Sequence, residues 1–158
     1  MPYENIDALI QRHVSIFSLT EQVAKLAAQH LFNALEAQLF PEGIPATLPA
    51  AIYLMDRRRD SWVEVNSTQD LATIRNKKLL FAIGVRFFGA TRQIADVILT
   101  VTLTPRGEDA DVVLGLEQIS TFSTGGNYAR VAELAETLIA EAASSWDYTR
   151  RGEETIYA

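Results

Sequence analysis

The runs KLLFAIGVRFF (residues 78–88), QIADVILTVTLT (93–104) and DVVLGLEQISTF (111–122) are separated only by Gly89-Ala-Thr-Arg92 and by Pro105-Arg-Gly-Glu-Asp-Ala110. All three are rich in β-branched and aromatic residues, and connections this short join antiparallel neighbours, so the stretch predicts a three-stranded meander. A one-residue slip would turn every apolar side chain to the wrong face, which lets the register be read from side-chain matching. With Val85 opposite Val97, the residues Phe87, Ile83, Phe81 and Leu79 meet Ala95, Leu99, Val101 and Leu103 on one wholly apolar face. In the next hairpin, Val101 opposite Leu114 sets Leu103 against Val112 and Leu99 against Leu116, extending that face by a strand.

The other face follows from the same alternation. It carries Arg86 directly across from Asp96, a favourable cross-strand pair, with Ala82, Gly84, Ile98, Thr100, Thr102 and Glu117 around them. Small side chains and a threonine row predict a flat surface of mixed polarity.

Working outward, residues 1–40 form a helical N-terminal segment, since Ile6, Leu9, Ile10, Phe17, Val23, Leu26, Leu31 and Leu35 recur at helical spacing. Ser18 followed by Glu21 has the form of a capping box, which predicts two helices, or one bent helix, with the break at Ser18. Pro41, Gly43, Pro45 and Pro49 then end the helix and lead to the sheet, residues 51–122. Ala51 to Met55 and Trp62 to Val65 read as two short strands around the polar turn Asp56 to Asp60, and Thr68 to Arg75 as a short helical turn. Asn127 is the expected N-cap of a helix over 128–146, whose stripe is Val131, Leu134, Ala135, Leu138, Ile139 and Ala142. A polar tail, 147–158, closes the sequence.

The expected fold is therefore α+β and two-layered, with N-terminal helices and one C-terminal helix on one face of a mainly antiparallel sheet of about five strands. With 158 residues, 48% of them hydrophobic, the chain is long enough for a single domain spanning 1–158. It contains no cysteine, which removes disulfides, thiolate metal sites and a cysteine nucleophile. No secretory leader or membrane span is legible, so the expectation is a soluble, cytoplasmic protein. The net charge of −6 disfavours a polyanionic partner.

No residue set amounts to a catalytic, cofactor or metal constellation. His13 and His30, the two histidines, have no ligand spacing and read as structural. Ser123 to Asn127 lacks the spacing of a phosphate-binding loop and reads as a turn. Arg57, Arg58 and Arg59 are the one basic concentration, flanked by Asp56 and Asp60, and suit a solvated turn or charged protein contact better than nucleic acid. The leading expectation is a non-catalytic structural or interaction subunit working as a homo-oligomer or larger assembly. Its contact face would be Arg86, Asp96, Ile98, Thr100, Thr102 and Glu117. A ring or tube component, such as a phage tail or neck protein, fits by analogy of fold class alone. The alternative is a small-molecule or enzyme pocket between helices and sheet, with Tyr53, Trp62, Phe81, Phe87 and His30 as lining.

Overall fold

The computed structural model describes residues 2–48, 50–72, 74–75, 77–88, 93–107, 109–116, 119–121, 126–145 and 154–158. Helix α1 spans Tyr3–Leu39, followed by strands β1 (Ile52–Arg58) and β2 (Ser61–Val65), a 3-10 turn (Thr68–Asp70), β3 (Ile74–Arg75), β4 (Lys78–Phe88), β5 (Gln93–Arg106), β6 (Asp109–Leu114) and β7 (Ile119–Thr121). Helix α2 (Tyr128–Ser144) and strand β8 (Glu154–Tyr157) complete it. The path of the sheet is β2-β1-β4-β5-β6-β7, with β3 beside β4 and β8 beside β5. The α+β expectation holds, and the sheet gains short strands beyond the five anticipated.

The predicted register is the observed one along the whole central hairpin. Val85 faces Val97, Arg86 faces Asp96 and Phe81 faces Val101, while Val101 faces Leu114 and Leu103 faces Val112. Val97, Leu99 and Val101 are fully buried, as are Leu79, Phe81 and Ile83. This face packs under α1 and α2 through Ala24, Ala27, Ala28, Leu31 and Leu35 of the first helix and Val131, Ala135 and Ile139 of the second. Alanines at the contact bring the helix axis close to the sheet, and Leu31 and Leu35 fill the space beyond them. Asn127 caps α2 as expected, its side chain accepting a hydrogen bond from the Arg130 amide. Thr68 Oγ1 donates to Gln29 Oε1 (3.2 Å) and Lys25 Nζ to Gln69 O (3.0 Å), tying α1 to the 3-10 turn.

Three expectations need correction. First, α1 is one uninterrupted helix, and Ser18 lies inside it. No glycine or proline occurs between Tyr3 and Leu39, so the amides that follow Ser18 find acceptors one turn back in the same helix and a cap there has no orphan to satisfy. Ser15 and Thr20 hydroxyls bond back to the Gln11 and Ile16 carbonyls instead.

Second, Leu99 does not meet Leu116. The β5–β6 ladder ends at Leu114, Gly115 takes φ +78, and its amide donates to Thr100 O (2.9 Å). That left-handed residue, which glycine adopts without a Cβ penalty, rotates Leu116 to the opposite side of the sheet, where it is 62% exposed.

Third, part of the polar tail is a strand. β8 pairs in parallel with β5 from Ala95↔Glu154 to Ile98↔Tyr157, and the Ala158 amide donates to Ile98 O (2.9 Å). One edge of β5 is thus shared, its later half by β6 and its earlier half by β8. Unpaired strand edges invite intermolecular pairing, and β8 closes this one.

Removing residues 154–158 is expected to lower the melting temperature by several degrees, at about 2–4 °C per kcal/mol for a chain of this size, and to speed amide exchange at residues 95–98. An unchanged melt and exchange pattern would show that β8 does not hold this edge.

Candidate functional site

Alternation along the strands delivers a second set of side chains to the face away from the helices. Tyr53, Met55 and Arg57 come from β1, Trp62 and Glu64 from β2, and Arg86 from β4, facing Asp96, Ile98 and Thr100 of β5. Together with Leu116, Thr155 and Tyr157 they line an open groove of about 770 Å³. The face expected to be flat carries this open groove.

At the floor of this groove Arg86 is the hub. Its Nη2 lies 3.0 Å from Glu64 Oε2 and its Nε 3.8 Å from Asp96 Oδ1, while Nη1 donates to Ala50 O (3.1 Å). Ala50 has φ 53, a conformation costing a non-glycine residue roughly 1–2 kcal/mol, and the arginine bond helps hold it. The guanidinium also sits 4.1 Å from the centroid of the Tyr53 ring, a cation–π contact. That ring lies across Gly84 of the neighbouring strand, so close that a Cβ there would come within 2.2 Å of Tyr53 Cζ. Glycine at residue 84 makes the room that the aromatic ring fills, which restores contact area lost in a strand glycine.

Burial, then the negative charge of Asp96, pushes the Tyr53 phenol up to about 12, with Arg86 opposing and Glu64 and a hydrogen bond to Asp96 adding to the rise. A phenol so held stays protonated at neutral pH and donates to Asp96. Neither histidine stands beside it: His13 is exposed on α1, and His30 stacks on Tyr128 with centroids 5.3 Å apart. Among the described residues, no three histidine, aspartate or glutamate side chains gather as a metal site.

The expected contact face is mostly brought together. Arg86, Asp96, Ile98 and Thr100 line the groove, with Ile98 a 4% exposed floor residue. Thr102 lines an adjoining depression with Lys78 and Leu116, and Glu117 lies outside the described residues. The arginine triplet is split by strand alternation. Arg57 lies over the Trp62 ring at 5.2 Å on the groove side, Arg58 approaches the buried Asp56 at 3.4 Å on the helix side, and Arg59 occupies the turn with φ 56. The proposed pocket lining does not converge: Tyr53 and Trp62 face the groove, Phe81 is core, Phe87 packs at the core margin and His30 is exposed on α1.

A second surface lies on α1. Its later half is buried, with Leu31 and Leu35 at 0% exposure, but residues 2–16 and 18–19 are exposed. Ile10 is 56% exposed, Val14 60% and Leu19 62%, with Tyr3, Ile6, Leu9 and Ile16 also open to solvent. At about 100° per residue, Ile6, Ile10 and His13 fall on the same side of the helix as Ala24, Leu31 and Leu35, so the buried stripe continues straight into the free arm. Helical spacing made the stripe legible in the sequence, but nothing there revealed that half of it would lie outside the body.

No helix among the described residues is long and apolar enough to cross a membrane. Comparison with protein-family models, curated proteins and solved structures found no match to this chain.

Gly84→Ala is expected to destabilise by about 1–3 kcal/mol, the usual range for overpacking, and to cost less in a Tyr53→Leu background, measured by urea melts in a double-mutant cycle. Equal costs in both backgrounds would rule out the ring as the cause.

Tyr53 is expected to ionise near pH 12 in an alkaline absorbance titration, and Tyr53→Phe to delete that phase. Because the folded pKa lies above the ordinary 10.0, the unfolded chain loses this proton first. The Tyr53 contribution to stability is therefore intact below pH 10 and falls away as pH rises towards 12.

Proposed function

We propose that this protein is a non-catalytic structural or interaction subunit that assembles with further copies of itself. The observation carrying this reading is the apolar stripe of α1, which seals the core over its later half and runs on, uncovered, from Ile16 back to Tyr3. Exposed contiguous apolar surface on this scale marks an interaction site. Along it Tyr3, Ile10, Val14 and Ile16 are each more than half exposed.

The opposite side of the arm carries Glu4, Asp7, Gln11, Arg12, Ser15 and Ser18. Helices that lie on anionic membranes are rich in lysine and arginine there, so a protein partner is favoured over a lipid surface. In the groove Arg86 is already paired with Glu64 and Asp96 and bonded to Ala50 O. A ring or tube built from such subunits would suit an acidic α+β domain with a projecting helix.

Light scattering across a concentration series is the test. The expected wild-type mass is a multiple of the 17.5 kDa chain, and Ile10→Asp is expected to return it to one chain with an unchanged circular dichroism spectrum. A wild type that stays monomeric at every concentration overturns the proposal.

A further inference from the structure

With β8 closing part of one edge of β5, the path of the sheet still ends at β2, which among the described residues has a ladder with β1 alone. We infer that in the assembly this edge pairs with its own counterpart: the β2 strands of two copies run antiparallel about a two-fold axis at Val63, and the two sheets become one. The inference rests on the self-assembly reading above and goes further by naming a second contact and its register.

Backbone parity decides which groups point outward. The Arg86 amide donates to Ala51 O (2.8 Å), so the odd-numbered residues of β1 bond to β4 and the even-numbered ones to β2. The pairs Leu54↔Val65, Asp56↔Val63 and Arg58↔Ser61 are therefore the hydrogen-bonded ones. Trp62 and Glu64 lie between them on β2, and their amides and carbonyls point away from β1 to the open edge. Among the described residues, no other backbone partner meets residues 61–65. The strand SWVEV has no proline, and its pairing with β1 runs without a shift, so it lacks the proline or bulge that commonly protects an edge.

Charge selects the register. A ladder forms only where outward residues meet outward residues. Trp62 opposite Trp62 brings Glu64 against Asp60 of the second copy, and Glu64 opposite Glu64 sets like charges face to face, so both registers are disfavoured. The centred register, with Trp62 opposite Glu64 and Val63 opposite Val63, overlaps the whole strand and opposes no like charges. In it the Glu64 carboxylate lies beside Trp62 of the second copy, and over that ring sits the same copy's Arg57 guanidinium, 5.2 Å from the centroid. Two-fold symmetry makes this contact twice. Glu64 is placed to serve it, since its side chain is 46% exposed and its bond to Arg86 uses Oε2. On the opposite face Val63 meets Val63, a β-branched cross-strand pair.

Two strands this short pair only marginally in water by themselves. The edge contact therefore forms between copies already joined through α1, and Ile10→Asp still yields single chains. The two surfaces adjoin, because the 3-10 turn that follows β2 is bonded to α1 at Lys25 and Gln29, near the point where the helix leaves the body.

The chain contains no cysteine, so one introduced thiol tests the register. Val63→Cys is expected to form a covalent dimer under a mild oxidant, because opposed residues of a non-hydrogen-bonded antiparallel pair have Cα atoms about 4.5 Å apart, within disulfide reach. Position 61 faces Val65 of the second copy, which leaves its own counterpart about 14 Å away. Ser61→Cys is thus expected to cross-link at least about tenfold more slowly. Within the Val63→Cys chain, Glu64→Pro removes an outward amide and no bond to β1, and is expected to slow the cross-link at least about tenfold. Glu64→Ala loses the same carboxylate and keeps the amide, and is expected to retain most of it, with circular dichroism showing that both chains are folded.

If the wild type assembles but Val63→Cys cross-links no faster than Ser61→Cys, the edge pairing is wrong while self-assembly stands. An unchanged rate in folded Glu64→Pro has the same consequence. A wild type that is monomeric at every concentration removes both proposals.

Discussion

The pairing of β4 with β5 sorts the side chains of this protein. Once Val85 stands opposite Val97, alternation sends Leu79, Phe81, Ile83, Leu99, Val101 and Leu103 to one side and Arg86, Asp96, Ile98 and Thr100 to the other. Burial of the first set drives the helices onto the sheet, since each fully covered large apolar side chain contributes about 1.5–3 kcal/mol. The second set is left to form a surface. A shift by one residue would place Arg86 and Asp96 under α1, where an uncovered charge is far more costly than any packing could offset.

The groove that results has Arg86, Asp96 and Ile98 at its floor. Arg86 is bound on every side, by two carboxylates, a carbonyl and the face of Tyr53. Such a hub stiffens the junction between β1, β2, β4 and β5 and holds Ala50 in its left-handed conformation. Gly84 and Tyr53 form the mechanical counterpart, one side chain missing so that another can lie flat. These residues organise the sheet locally, and the surface they leave to solvent is mostly that of Leu116, Tyr157 and the rim.

Much of this was legible because it depends on neighbours in sequence or on strict periodicity. The two hairpin registers, the Arg86–Asp96 pair and the Asn127 cap all follow from matching side chains across short connections. The capping-box reading at Ser18 failed because the motif stabilises a helix end only where amides lack acceptors, and residues 3–39 hold nothing that breaks the ladder. Leu116 was misplaced because a regular strand was extended through Gly115, whose positive φ ends it. The triplet Arg57 to Arg59 looked like one basic patch as a string, yet alternation divides it between two faces and a turn.

Sequence alone determined the α+β class, the inward face of the central strands and the apolar stripe of α1, because each is a periodic pattern set by residues a few positions apart. Tertiary structure alone decided that β8 would share an edge of β5, that Tyr53 and Glu64 would join Arg86, and that the first half of the stripe would stand clear of the core. Those outcomes depend on how long α1 is relative to the sheet beneath it and on which strand edge remains vacant once β6 turns away at Gly115. Both are properties of the assembled layers, set by contacts between residues far apart in the chain.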